Sequence, residues 1–329
     1  MPTDAQCKRG KVIRRMRLNG GMILYLGFLT GCMGNIPLKD KVDWAAEQGL
    51  RALEISCWPL LNDRDYSSCD IDVENLTIQK AQEIKAYVEQ KGLTISSLAY
   101  YDNNLAADLK HRQYINNHLY KVIDACVLLG VNTVGTFAGR NHNVSMQENF
   151  DQFEEVFKKV VRYAAERNIR VMIENCPMVG WQLPGLPGTI SFSPELWTEM
   201  FKRVSDENFG LNYDPSHLRF MMMDYIEPVK EFADRIFHVH AKDVFFKKEI
   251  LKHTGIYNKQ LFDIPGESFW KPVMPGLGDV DFDKLIDTLG KCGYDGVVSI
   301  EHEDPDYEGS LEKVKEGLII AINNLSKII

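Results

Sequence analysis

The sequence predicts one (β/α)8 TIM barrel with a long loop after its seventh strand, and three observations carry that expectation. Short apolar, β-branched runs alternate eight times with longer stretches of helical period over residues 22–329. The 329-residue length suits a single barrel of ~250 residues with additions. A doubly wound dinucleotide fold would need a G-x-G-x-x-G turn after an early strand, and Gly27, Gly31 and Gly34 lack that spacing.

Each element follows from its own pattern. The first candidate strand, 22–30 (MILYLGFLT), is a short apolar run between glycines, and helix 38–48 after it ends at Gly49. Strand 52–56 (ALEIS) leads to helix 77–91, closed by Gly92, and strand 94–101 (TISSLAYY) to helix 109–129, closed by Gly130. Strand 132–137 (NTVGTF) precedes helix 146–167. Strand 170–175 (RVMIEN) precedes helix 194–204, where Ser193 is positioned as N-cap and Pro194 as the first helical residue. Strand 209–213 (FGLNY) pairs with helix 224–234, strand 236–241 (IFHVHA) with helix 281–292, and strand 296–301 (GVVSIE) with helix 310–327. The loop 244–280, rich in Lys, aromatics and Pro, is long enough to imply a function, and a substrate lid is the expectation.

The first strand has a competing interpretation. A basic stretch ending at Arg17 runs into the apolar segment and then Leu29-Thr30-Gly31-Cys32, the pattern of a secretory lipoprotein signal. A cleaved signal there would remove the barrel's first strand, so the strand is preferred. Residues 1–21 then form a basic N-terminal extension with no role in catalysis, and Met22 is a candidate start of the barrel domain, 22–329.

Charge and cysteine usage narrow the partners. The net charge of −8 averages two unlike parts: six basic residues and one acid give +5 in the first 21 residues and leave −13 on the remaining 308. Such a body is a poor match for a nucleic-acid backbone, whose phosphates need neutralising. Seven scattered cysteines without a C-x-x-C pair fit a reducing, cytoplasmic setting. No apolar run reaches the ~20 residues of a membrane span.

Barrel active sites use polar residues at the C-terminal ends of strands. The fifth to eighth candidate strands end at Glu174, Asp214, His240 and Glu301. Three carboxylates and an imidazole on one rim would be costly to bury without a cation. They form a hard, mixed oxygen–nitrogen site suited to one divalent ion, Mn²⁺ first, with Mg²⁺, Co²⁺ or Zn²⁺ as alternatives.

The segments IENCP, YDPSH, HVHAKD, GLGDVDF and SIEHEDP resemble, in this order, the sugar phosphate isomerase/epimerase group of the xylose isomerase-like barrels, and the similarity spans nearly all of residues 22–329. The resemblance implies a metal held by Glu174, Asp214, His240 and Glu301, with His217 contacting substrate. It also implies a dimer or tetramer, and a sugar or polyol-derived ketone as substrate. The implied chemistry is proton abstraction α to a ketose carbonyl through an enediolate, with Glu174 and Glu301 as base and acid. The same first step serves a lyase, such as an inosose dehydratase or a 3-keto-glycoside cleaving enzyme, and these residues do not separate the branches.

Other residues are weaker candidates for substrate binding. Lys242 and Asp243 follow the ligand histidine and can hold a substrate oxygen or form a loop salt bridge. Trp58 and Trp181 can stack on a sugar face or simply pack, and Glu54 points from the second strand toward substrate. His238 shares a strand face with His240, and Arg140 is a hydroxyl anchor or a solvated loop residue. Two other classes are weighed. An AP-endonuclease-type nuclease would need histidines at the third and fourth strand ends, where only His142 lies nearby. A non-catalytic barrel subunit would be marked by lost metal ligands, yet all four are present.

Overall fold

The computed structural model describes residues 24–34, 36–60, 68–259 and 264–329. Eight parallel strands close into a barrel: β1 (Tyr25–Leu29), β2 (Ala52–Ser56), β3 (Thr94–Asn103), β4 (Thr133–Phe137), β5 (Arg170–Glu174), β6 (Phe209–Tyr213), β7 (Ile236–Ala241) and, last in the chain, β10 (Val297–Ile300). Closure comes from β1, which pairs with β2 on one side and with β10 on the other. The basic extension 1–21 and the proposed start at Met22 lie outside the described residues.

The first strand is a barrel strand over Tyr25–Leu29, and Cys32 sits in the 3-10 turn Thr30–Met33 that follows it. A buried lysine fixes this turn. Lys41 Nζ donates to the Thr30 carbonyl at 3.0 Å, the Gly34 carbonyl at 2.6 Å and Asp70 Oδ1 at 2.7 Å. An unpaired ammonium at that depth would be strongly destabilising.

Helices α1 (Leu38–Glu47), α2 (Ile78–Gln90), α3 (Leu109–Leu129), α4 (Met146–Ala165) and α5 (Pro194–Arg203) agree with the sequence expectation to within about two residues at their ends. Caps explain their starts: Ser145 and Glu148 close a capping box on α4, and Asp108 accepts from His111 N to open α3.

After β6 the expectation needs correction. A short helix α6 (Pro215–Phe220) begins at once, with Asp214 as N-cap and Pro215 in its first turn. The expected helix 224–234 is only α7 (Glu227–Glu231) and a 3-10 turn, Ala233–Arg235. Asp224 Oδ1 takes up the Ile226 and Glu227 amides before Pro228, so the helical path starts late.

The long connection after β7 is also built rather than irregular. It contains an antiparallel pair, β8 (Asp243–Phe246) and β9 (Trp270–Val273), with helix α8 (Lys248–Thr254) between them. Helices α9 (Phe282–Lys291) and α10 (Leu311–Leu325) complete the ring. Among the described residues, no helix is long and apolar enough to cross a membrane.

The barrel interior is polar near its centre, which is unusual for a packed barrel core. Gly135 on β4 makes room: a Cβ there would collide with the Tyr101 hydroxyl. That space lets Tyr101, from β3, reach across to Glu54 and Asn212 at 2.6 Å each.

Candidate metal-binding active site

Strand ends and one cap bring the site together. Glu174 is the last residue of β5, and Asn175 after it locks the neighbouring strand exit. Its Oδ1 accepts from Asp214 N and its Nδ2 donates to the Asp214 carbonyl, both at 2.8 Å. Asp214 caps α6 through Oδ1, which accepts from Ser216 N at 2.7 Å, leaving Oδ2 for the site. His217 lies three residues on in the first turn of α6, so it returns to the same end of the helix. His240 on β7 is in register with Ser299 on β10, and Glu301 N bonds the Ala241 carbonyl at 3.1 Å.

Three of the four expected ligands, Glu174, Asp214 and Glu301, share one donor cluster, and His240 borders it through Glu174 and Glu301. The Nδ1 of His240 lies 3.0 Å from Glu174 Oε1 and 3.0 Å from Glu301 Oε2. Donor atoms of Glu174, Asp214, His217 and Glu301 all lie within 4.8 Å of one another. His217, expected at the substrate, is therefore part of the donor cluster: its Nε2 is 3.3 Å from Asp214 Oδ2 and 3.5 Å from Glu174 Oε1. The residues fit a cation. Asp214 Oδ2, Glu301 Oε2 and His217 Nε2 are buried and make no well-formed hydrogen bond, meeting only ion-pair contacts with one another, His240 and Lys242 at 3.0–3.6 Å. Native interiors seldom leave buried polar atoms in that state.

The other candidates separate into cavity residues and supports. Lys242 is buried with its Nζ 3.1 Å from Glu301, 3.0 Å from Glu303 and 3.6 Å from Asp214. With Glu174, Glu301, Trp58 and Trp181 it lines a cavity of about 540 Å³, of the size that takes a small ligand. Glu54, expected at the substrate, is fully buried behind His240: Oε2 accepts from His240 Nε2 at 2.8 Å and from Ser299 at 3.1 Å, while Oε1 accepts from Tyr101. Asp243, expected to hold substrate or orient the site, accepts from the amides of Val244, Gly276, Gly278 and Val280 at 2.8–3.0 Å. It fastens the 276–280 turn, and a Cβ at Gly278 would collide with its carboxylate. Arg140 donates to the Pro187 carbonyl at 3.0 Å, tying the loop after β4 to the loop after β5. His142 pairs with Gln182 at 2.7 Å.

Electrostatics follow from this packing. Burial pushes the Glu54 carboxyl up, but the imidazoles of His240 and His238 outweigh it and bring it down to about 2. Burial holds His238 at about 4, so it is neutral between Asn212 and Ser96. At His240 burial opposes charging, yet Glu54 and Glu301 raise its pKa well above the ordinary value. Lys242 is likewise disfavoured by burial and held protonated by Glu301, Glu303 and Asp214. Burial raises Asp214, with His217 and Lys242 pulling the other way. The rim thus concentrates anionic oxygens around a few cations.

Sequence reasoning missed Glu303, Tyr101, Asn212 and Cys176. Spacing offered a signal for two of them: Asn212, on β6, precedes Asp214 by two residues, and Glu303 follows Glu301 by two in the loop after β10. Nothing in the local sequence marked Cys176, which reaches the cluster from just beyond β5.

A closed parallel barrel with acidic and imidazole side chains at the exits of consecutive strands defines the class: a TIM-barrel protein of the kind that can hold a divalent ion. Over residues 42–321 the sequence matches the xylose isomerase-like TIM barrel family, and the chain belongs to that family. It is 26% identical over 302 residues to YfiH of Bacillus subtilis, a protein of uncharacterised function, covering 85% of this chain and 92% of that protein. It is 24% identical over 260 residues to an inosose dehydratase of Clostridium botulinum, covering 75% of this chain and 82% of that one. Among solved structures it resembles the IOLI protein with a bound zinc atom, with a TM-score of 0.67 and 19% identity over 93% of this chain and 99% of that one.

Proposed function

We propose that the protein is a divalent-metal-dependent sugar isomerase or epimerase acting on a small ketose, with Glu174, Asp214, His240 and Glu301 holding the ion. The observation that carries this reading is the cluster of buried donor atoms from Glu174, Asp214, His217 and Glu301, of which Glu174 and Glu301 line the cavity. When bound, a divalent ion supplies polarisation of adjacent carbonyl and hydroxyl oxygens. Manganese is the first expectation, because oxygen donors predominate among these four ligands.

The chain's own groups supply the rest. Glu174 takes the proton α to the carbonyl, and Glu301 returns or relays it. Return on the opposite face gives epimerisation; delivery to the neighbouring carbon gives isomerisation. The buried Lys242 ammonium faces the same cavity and stabilises negative charge that develops on the substrate oxygen. Trp58 and Trp181 offer apolar faces for the sugar ring. Glu54 orients His240, and Asp243 supports the loop above the site.

A lyase reading is favoured by one observation, the similarity to an inosose dehydratase over most of the chain. Loss of a β-hydroxyl or β-glycosyl group after the same proton abstraction would give that outcome. One screen separates them: ketoses, inososes and 3-keto-glycosides offered with Mn²⁺, Mg²⁺, Co²⁺ or Zn²⁺ in deuterated water. Deuterium uptake reports the shared step and product identity reports the branch. Glu174→Gln is expected to abolish uptake while the protein still unfolds in a cooperative transition. Full uptake in that variant would remove Glu174 as the base, and a purified protein that binds no divalent ion would sink the enzyme reading.

A further inference from the structure

Beside the four expected ligands lies a second donor group, which shares Glu174 with them and adds Cys176, a residue the proposed reaction does not use. Donor atoms of Glu174, Cys176 and His217 lie within 4.8 Å of one another, and all three residues are buried. Cys176 also lines the cavity, so the group is open to a small solute. His217 is only 5% exposed, and its Nε2 is buried without a well-formed hydrogen bond.

We propose that Glu174, Cys176 and His217 form a second cation position, sulfur-containing and selective for thiophilic ions of the zinc class, beside the carboxylate site. Its donor set differs from that of the first position, replacing a mostly oxygen environment by one carboxylate, one imidazole and one thiolate. Such a set discriminates against Mg²⁺ and Mn²⁺ and favours Zn²⁺ and Co²⁺. Ions of this class bond at ~2.0–2.3 Å, so these three donors close on one ion with small side-chain shifts, leaving a coordination position open toward the cavity.

The local backbone is arranged around the sulfur. The Met178 amide donates to Cys176 Sγ at 3.4 Å, and Met178 adopts φ 45°, a left-handed conformation costly for a side chain of its kind. Thr189 Oγ1 holds the Cys176 carbonyl at 2.5 Å. A cysteine kept only as a small apolar filler would not need a carboxylate and an imidazole as neighbours; Cys126, packed beside the Thr133 carbonyl in the core between α3 and β4, illustrates that other kind.

The position has a regulatory consequence, which rests on the proposed reaction. Glu174 belongs to both donor sets, so an ion on Cys176 and His217 takes up the carboxylate that serves as base. Zinc in excess of the first equivalent therefore inhibits.

Cobalt is the probe, because a cobalt–thiolate bond absorbs in the near ultraviolet and a cobalt–carboxylate bond does not. Full-length protein titrated with Co²⁺ is expected to develop that band, with a second equivalent bound by equilibrium dialysis. Both Cys176→Ser and Cys176→Ala lose the band and the second equivalent, and His217→Asn, an independent disruption, loses it too. Half-inhibition by zinc, scored against each variant's own zinc-free rate, moves to about tenfold or more higher zinc in Cys176→Ser. Glu301→Gln keeps the band while losing deuterium uptake, which separates this position from the proposed catalytic one. A wild type without the band, or a band that survives both Cys176 substitutions, overturns the proposal. A band present in a protein that exchanges no ketose leaves the second position standing and removes the sugar chemistry.

Discussion

His240 shows how a single residue is set for its task. Its Nε2 lies 2.8 Å from Glu54 Oε2 and its Nδ1 3.0 Å from both Glu174 and Glu301, so a proton on Nε2 given to Glu54 leaves Nδ1 facing the site. A carboxylate behind a ligating imidazole fixes both the tautomer and the orientation of the ring. Glu54 is itself held by Tyr101 and Ser299, and its low pKa of about 2 keeps it charged throughout the working range. Glu54→Gln is accordingly expected to weaken divalent-ion affinity by about 10–100-fold, read by metal titration of the chelator-treated protein. An unchanged affinity would show that Glu54 merely fills the barrel. The sequence placed Glu54 on a strand facing inward, but not behind His240, because 186 residues separate the two.

At the scale of elements, the insertion after β7 supports α6. Trp270 of β9 stacks on Phe220 of α6 at 4.2 Å with a 12° interplanar angle, and Phe220 packs edge-on to His217 at 6.0 Å. The β8–β9 pair therefore braces the helix whose N-cap is Asp214. Asp243 anchors the far side, collecting four amides on one carboxylate. Asp243→Ala would leave those amides unpaired or solvated and should cost about 2 kcal/mol or more, measured by denaturant unfolding. Loss of metal affinity in the same variant would show that the brace reaches the site; wild-type stability would contradict this account of Asp243. The sequence marked 244–280 as long and functional. Its internal pairing stayed hidden, since β8 and β9 each span only four residues and find each other across a helix.

For the molecule as a whole, the balance of charge at the rim predicts how stability responds to metal. Glu174, Asp214 and Glu301 are carboxylates drawn out of water together, with Lys242 as the ammonium closest to two of them. An ion that binds only the folded state adds about 2.7 kcal/mol at a free concentration 100 times its Kd. The melting temperature should therefore rise with added Mn²⁺ or Zn²⁺ and fall on chelation, with the shift largely lost in Asp214→Asn. A melting temperature indifferent to every divalent ion tested would mean that the cluster is held by Lys242 and the histidines alone.

By itself, the sequence determined the barrel and the carboxylate-and-imidazole character of its rim. Those features are local: apolar strands alternate with amphipathic helices, and each strand announces its functional end by the polar residue that breaks its apolar run. Only the tertiary structure decided which polar residues meet. Tyr101 and Asn212 join across 111 residues, and Glu54 and Ser299 across 245, because closing the barrel sets β1 beside β10 and turns alternate side chains to a common axis. His217 and Cys176 reach the donor cluster for the same reason. One follows an N-cap and the other a strand exit, and their proximity depends on the β5–β6 register rather than on either segment alone.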